Sequence, residues 1–383
     1  MSVLIKNCRI VSPDVDLCDA AVEIDGETIK HVYRPGDLLP AAGDCLDAGG
    51  AMLVPGFIDM HFHGGVGFDV TDGSAEGIAR IAEAKLREGV TTMCPATLTL
   101  PEDKLAVAMR NVADYRADER FARIAGVHLE GPFINPDCTG AQNPAFVRTP
   151  DIAEVDRLRE ICDVSIVSYA VEVEGAEAFT RALCERGIVP SCGHSAATFE
   201  QLQGAKRNGL RHLTHFCNQM TKLHHREIGM VGAGLYDDEL LVELICDAIH
   251  LCPDMIRLVF KCKPIETIAL ITDAMSATGL EDGTYDLGGL EVAVANGAAR
   301  LASNGALAGS TLQYHAALKN VAEVTGLPLS QLVKTTSLNQ ALSLGFSDRG
   351  RIEPGYLADL AILDSEFEPI AVFVSGEKRY GSL

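Results

Sequence analysis

The chain has 383 residues, 47% hydrophobic and 22% charged. That ordinary globular mixture excludes an intrinsically disordered chain, and a chain of this size class buries about 70–75% of its unfolded surface. The 32 Lys and Arg stand against 53 Asp and Glu, a formal net charge of −21, and a field of that sign repels phosphate backbones and anionic lipid, so neither nucleic acid nor a membrane is an expected partner.

No apolar run approaches a membrane span. The start, MSVLIKNCRIVS, has neither the basic nor the long apolar region of a secretory signal. The 12 cysteines contain no CxxC pair and read as reduced thiols of a cytoplasmic protein.

Residues 1–54 predict short β runs, Val3–Ile10 and Ala21–Ile24, then a Gly49–Gly50 turn. Residues 346–383 predict two more, Leu360–Leu363 and Ile370–Ser375. These end segments are too short to fold separately and are expected to pair into one small β domain. Residues 55–345 alternate short apolar strands with helical stretches, the pattern of βα units around a parallel sheet. The predicted strands are Leu53–His63, Thr91–Thr97, Ile124–Glu130, Ser165–Val171, Val189–His194, His212–Phe216, Leu241–Asp247 and Ala269–Asp273. Helical stretches such as Ser74–Arg87, Pro101–Asp118 and Thr198–Asn208 lie between them. Eight parallel strands closing on themselves make an α/β fold, the (β/α)8 TIM barrel, and roughly 290 residues suit it.

Catalytic groups of such barrels sit at the C-terminal strand ends. His61 and His63 end the first strand and, two residues apart, face one side. Glu130 ends the third strand, His194 the fifth, His215 the sixth and Asp273 the eighth. Imidazole and carboxylate suit Zn2+ or Fe2+. Six ligands exceed what one catalytic ion needs; with Glu130 shared, two ions would sit about 3.5–4 Å apart. A bound ion lowers the pKa of its water towards about 7, and Asp273 would take that proton and return it to a leaving group.

His31, His212 and His315 read as structural. His128, two before Glu130, reads equally as a donor behind the site or as a packed strand residue. Cys192 and Cys217, two residues from His194 and His215, read as apolar packing groups before thiolate ligands.

The ordered series of motifs resembles the amidohydrolase superfamily, and within it the N-acetylglucosamine-6-phosphate deacetylase family, over nearly the whole chain. PGFIDMHFHGG at 55–65, GVHLEGPF at 126–133, GHSAAT at 193–198, THFCNQM at 214–220 and TDAM at 272–275 resemble its metal and catalytic segments. RGRIEPGYLADL at 349–360 is similar to its closing segment. The resemblance implies a β-sandwich built from residues 1–54 and 346–383 beside a catalytic barrel of residues 55–345. It implies hydrolysis of the acetamido group of an amino sugar 6-phosphate, with one or two divalent ions, Zn2+ or Fe2+ first and Mn2+ as a third candidate. DAIHL at 247–251 implies a sugar contact from His250, and GALAGS at 305–310 implies contacts from Leu307, Ala308 and Gly309. AQNP at 141–144 implies contacts from Ala141 and Gln142, although the family often carries His at the second of these.

Segment 218–226, NQMTKLHHR, concentrates Lys222, His224, His225 and Arg226 in an acidic chain. The resemblance implies a phosphate contact from Arg226, which its planar fork suits, with Asn218 and Gln219 beside it. A homodimer is expected, a second subunit helping to hold the phosphate. AVE at 170–172 stands where the family often has APE, and Ala196 follows GHS where it often has Asn or Asp. These departures leave the hydrolase chemistry intact and bear on the substrate, which on this reading includes another sugar epimer. The competing readings are an amidohydrolase for other N-acyl substrates, a non-catalytic amino-sugar binder, and an interaction scaffold.

Overall fold

The computed structural model describes residues 2–40 and 43–382. Eight short strands pair in parallel in chain order: Phe57–Phe62, Val90–Thr97, Val127–Glu130, Val164–Tyr169, Val189–Cys192, His212–Leu213, Leu241–Ile245 and Ile268–Ile271. The ring closes between the eighth and the first. There the Asp273 N–H donates to the His61 carbonyl at 2.8 Å and the His63 N–H to that of Ala274 at 2.7 Å. The expected TIM barrel is therefore present, and its closing bonds lie beside the histidine pair.

The outer helices follow from local sequence. In Gly77–Arg87, Ile78, Ile81, Ala82, Lys85 and Leu86 recur at helical spacing and are the buried stripe. Phe199–Arg207 opens on a capping box between Thr198 and Gln201. Tyr314–Thr325 ends at Gly326, whose φ of 65° is the left-handed value that stops a helix.

Both chain ends meet in one eight-stranded sheet. Ser2–Ser12 pairs with Val15–Asp25, which pairs with Thr28–Tyr33. Ser2–Ser12 also lies parallel to Asp44–Asp47 and to Met52–Pro55. Met52–Pro55 runs antiparallel to Leu360–Leu363, followed by Pro369–Val374 and Glu377–Gly381. Ile5, Ile10, Val22, Leu53, Ile362 and Phe373 form its core, apart from the barrel's.

Three features differ from the sequence expectation. The predicted strand Leu53–His63 is two strands, Met52–Pro55 in the terminal sheet and Phe57–Phe62 in the barrel. Gly56 marks the break: its N–H bonds to Asp359, and a Cβ there would lie 2.3 Å from the Thr91 side chain. Ile124–Glu130 is likewise divided, into Arg123–Ile124 and Val127–Glu130. The third is an antiparallel sheet, Gly283–Leu287, Leu290–Ala295 and Ala298–Leu301, inserted after the eighth barrel strand.

Beside the closure lies a buried ionic knot. Lys85 Nζ is 3.1 Å from Asp59 Oδ2 and 3.1 Å from Glu88 Oε2, and donates to Thr272 Oγ1 at 3.1 Å. The Thr272 hydroxyl in turn donates to Asp59 at 2.6 Å. The knot ties the first helix to the first and eighth barrel strands, one residue from Asp273. Lys85→Ala strands two buried carboxylates without their cation and is expected to lower stability by about 3–5 kcal/mol, measured by urea denaturation. A shift below about 1 kcal/mol, the range of an exposed pair, would contradict the role given to the knot.

Candidate metal centre and substrate pocket

Six side chains converge at the C-terminal rim. Glu130, at the end of the third strand, is the centre of the group. Its Oε1 lies 3.3 Å from His61 Nε2, 3.2 Å from His194 Nε2 and 3.0 Å from His215 Nε2. Its Oε2 lies 3.1 Å from His63 Nε2 and accepts from Gln142 Nε2 at 2.5 Å. Asp273 Oδ1 stands 3.3 Å from His63 Nε2 and 3.7 Å from His61 Nε2. The ligand atoms form two triads, His61 with His63 and Asp273, and Glu130 with His194 and His215, each set mutually within 4.8 Å. The Glu130 carboxylate faces both.

This donor set fits divalent cations. All six residues are buried, and His61 Nε2 has no hydrogen-bond partner although water is excluded from it. A buried nitrogen that makes no hydrogen bond and is aimed at carboxylates suits a ligand atom. His194 has its other nitrogen engaged: Nδ1 donates to the Cys138 carbonyl at 2.8 Å. Its Nε2 is thereby directed to the rim.

The electrostatics point the same way. Burial opposes charge on His61, but the Glu130, Glu243 and Asp273 carboxylates prevail and raise it well above the ordinary imidazole value. Burial likewise opposes charge on His63, and Glu130 and Asp273 carry it up to about 10. Burial would raise the Glu130 carboxyl, yet the imidazoles of His61, His63, His194 and His215 hold it well below the carboxylate range. Asp273 is lowered too, burial being outweighed by His63 and His61. Without a cation, protons on the imidazoles balance the buried carboxylates.

The backbone that presents these groups is not simple strand. His194, His215 and Asp273 each lie two residues beyond their strand's last residue, with φ of 49°, 33° and 50°. Left-handed backbone at a non-glycine residue costs roughly 1–3 kcal/mol and is found where the surroundings hold it for function. This corrects the expectation that these residues end the strands. It also disposes of the cysteines, because the turn at His194 breaks the alternation that would align Cys192 with it. Burial pushes the Cys192 and Cys217 thiols up to about 12, and neither belongs to a ligand cluster. His128 is enclosed. Its Nδ1 donates to the Met60 carbonyl at 3.0 Å and Ser168 Oγ lies 2.6 Å from its Nε2. Burial and the neighbouring His61 lower it to about 3. His128 is a neutral packed ring that does not face the substrate space.

Above the rim is a cavity of about 220 Å³. His63, Glu130, His194, His215 and Asp273 form its floor, while His61 lies beneath, fully buried. Ala141, Gln142, Asn218, Gln219, His250, Leu307 and Gly309 line it. Ala308 does not: it turns inward, is fully buried and donates its N–H to Ala299. Arg226 does not line it either. It sits exposed on the loop beyond Gln219, its guanidinium 2.9 Å from His225 Nε2. Gln142 has a second task, its Oε1 accepting the Thr99 N–H at 2.6 Å. It is thus clamped between the second barrel strand's loop and Glu130.

Several contributors escaped sequence reasoning. Glu243 holds the far side of His61 at 3.2 Å, and its signal was a lone carboxylate in the apolar run LLVELIC. Asp247 Oδ2 bonds His250 Nδ1 at 2.7 Å and outweighs burial to raise that imidazole; their three-residue spacing was visible. Leu98 and Leu287 add to the walls, Leu287 from the inserted sheet. Nothing in the sequence marked them.

The family model described as "Amidohydrolase family" matches residues 52–379. A deacetylase for N-acetylgalactosamine-6-phosphate from Escherichia coli O157:H7 is 39% identical over 330 residues, covering 85% of this chain and 87% of that protein. A deacetylase for N-acetylglucosamine-6-phosphate from Lysinibacillus sphaericus is 35% identical over 376 residues, covering 95% and 94%. The solved structure of the Mycobacterium smegmatis N-acetyl-D-glucosamine-6-phosphate deacetylase, a substituted form in complex with N-acetyl-D-glucosamine-6-phosphate, superposes with a TM-score of 0.90 at 32% identity. It covers 99% of each chain.

Cation binding at this centre is expected to expel protons, because the His63 imidazole keeps its proton up to about 10 and a ligand must be neutral. Apparent affinity then rises with pH, by about one order of magnitude per unit for each proton displaced. Calorimetric titration in two buffers of different ionisation enthalpy reads the release. A buffer-independent heat together with a flat affinity would contradict it.

Proposed function

This chain belongs to the amidohydrolase family, and we propose that it hydrolyses the N-acetyl group of an amino sugar 6-phosphate, N-acetylglucosamine-6-phosphate first, to acetate and the free amino sugar phosphate. The observation that carries this reading is two adjoining ligand triads, with the Glu130 carboxylate of one within 3.3 Å of His61 and His63 of the other and Asp273 facing the cavity. The relatives that cover most of the chain carry deacetylase names, and one holds that substrate.

In this reading His61, His63 and Asp273 would hold one divalent cation and Glu130, His194 and His215 the other, with Zn2+ or Fe2+ favoured by the nitrogen and carboxylate set and Mn2+ next. A bound ion supplies Lewis-acid polarisation of a carbonyl and acidifies water towards neutrality. Asp273, held below the usual carboxylate range, is unprotonated at neutral pH. It takes the proton of the attacking water and hands it to the amine nitrogen as the C–N bond breaks. His250, fixed by Asp247, and Gln142 orient the sugar and its acetamido group. Asn218 and Gln219, with Leu307 and Gly309, bound the space around the ring and its phosphate arm.

Arg226 supplies the phosphate fork. Its position outside its own chain's cavity favours a homodimer in which the loop of one copy serves the other. No helix among the described residues is long and apolar enough to cross a membrane, and all 12 cysteines are unpaired. Reduced thiols favour a cytoplasmic setting.

A second reading concerns the epimer. Gln142 offers a neutral amide to the cavity, and the relative at 39% identity is named for the galacto sugar. A panel of N-acetylated sugar 6-phosphates, assayed for acetate with zinc, iron or manganese restored, separates the two. Preference for the galacto substrate would overturn the gluco assignment, and ammonia release in place of acetate would overturn deacetylation.

Asp273→Asn is expected to lower kcat by about 10²–10⁴-fold while cation remains on the other triad; near-normal turnover removes Asp273 from proton transfer. Arg226→Ala is expected to raise KM for the phosphorylated substrate with kcat little changed. An equal rise for the unphosphorylated analogue would show that this arginine does not read phosphate.

A further inference from the structure

One buried carboxylate inside the barrel takes no part in either triad. Glu243 lies on the seventh strand, Leu241–Ile245, and is fully buried. Its Oε2 is 3.2 Å from Nδ1 of His61, the nitrogen turned away from the rim. Its Oε1 lies 3.6 Å from His212 Nδ1, and His212 Nε2 is 2.5 Å from Ser343 Oγ. His212 and Ser343 in turn line a cavity of about 660 Å³ at the opposite end of the barrel. A column of polar groups therefore runs from the far face to the back of His61. The His128 ring closes another side, 4.5 Å from the His61 ring centre and inclined at 64°.

A neutral imidazole carries one proton on one of two nitrogens, and the partner of one nitrogen decides what the other can do. A carboxylate only accepts, so Glu243 stabilises the proton on Nδ1. Once a cation displaces the second proton, Nε2 is left with its lone pair, and Nε2 is the nitrogen without a hydrogen-bond partner, aimed at Glu130 and Asp273. No other imidazole of the two triads has a carboxylate at Nδ1. His63 Nδ1 and His215 Nδ1 have no partner in the described structure, and His194 Nδ1 uses a backbone carbonyl.

We propose that Glu243 is a positioning residue: it holds His61 as the Nδ1–H tautomer and so supports cation binding at the His61, His63 and Asp273 triad and not at the Glu130, His194 and His215 triad. The inference rests on the proposed reading of the rim as a two-cation centre.

The test is cobalt titration of the metal-stripped protein, followed by visible absorption and by metal analysis, on wild type, Glu243→Met and Glu243→Gln. Methionine keeps the bulk and removes the acceptor; the glutamine amide oxygen still accepts from Nδ1–H. The expected result for Glu243→Met is a loss of about 10–100-fold in affinity confined to one of two binding phases, with the thermal midpoint recorded alongside. Glu243→Gln is expected to recover most of that loss. Two unchanged phases in Glu243→Met overturn the inference, and so do equal losses in both.

A measurement without a variant at position 243 stands beside it. In zinc-loaded protein labelled with 15N-histidine, long-range nitrogen–proton correlation reads each ring's tautomer, the His61 signals being assigned by their absence in His61→Asn. Nδ1–H on His61 is expected, and Nε2–H overturns the inference. A wild-type protein that takes up no divalent ion sinks the two-cation reading itself, a result distinct from either outcome above.

Discussion

A single buried carboxylate organises this molecule. Glu130 is almost fully buried at the cavity floor, and four imidazoles lie within 3.3 Å of its two oxygens. A lone carboxylate buried in this way would carry a desolvation penalty of several kcal/mol. It persists because the first, fifth and sixth strands bring four imidazoles to the point where the third strand ends. The barrel's circular closure makes this meeting possible. In an open sheet of eight strands the first and sixth would stand about five strand spacings apart, each roughly 4.8 Å. Catalytic convergence and fold closure are therefore one constraint, seen also in the Asp273 N–H that bonds the His61 carbonyl.

The interior beneath the rim is polar as well. The Ser168, Thr214 and Ser191 hydroxyls follow one another at 2.5 Å each, beginning at His128. Glu243 and His212 form a second line. Buried polar groups stabilise only when satisfied, and a satisfied network holds its members to one geometry. Here that geometry is the orientation of the rings above. The left-handed turns at His194, His215 and Asp273 belong to the same arrangement: local strain is accepted because strand pairing below and imidazole contacts above leave no alternative position.

Charge is divided between the centre and the surface. The chain is strongly acidic, yet Lys222, His224, His225 and Arg226 project from one loop beside the cavity. Such a patch is the local exception that an anionic substrate needs against a repelling field. Gln142 marks a different adjustment. A charged imidazole at that position would add a cation next to Glu130; the neutral amide binds Glu130 and the Thr99 backbone at once and leaves the triads to balance the charge.

The sequence by itself determined the barrel and the identity of the six rim groups, because period-two alternation and the spacing of βα units are local properties. It also carried Asn218, Gln219, Leu307 and Gly309 of the lining, through the ordered motifs. Only the tertiary structure decided the break at Gly56, which depends on Thr91 pressing against it, and the wall supplied by Leu287 from an inserted sheet. It alone decided that Ala308 turns inward and that Arg226 stays outside its own cavity, because one-residue shifts in a loop's direction have no periodic signal. It alone joined Glu243 to His61. These residues lie 182 positions apart, and their contact exists only because closing the ring brings the seventh strand back beside the first.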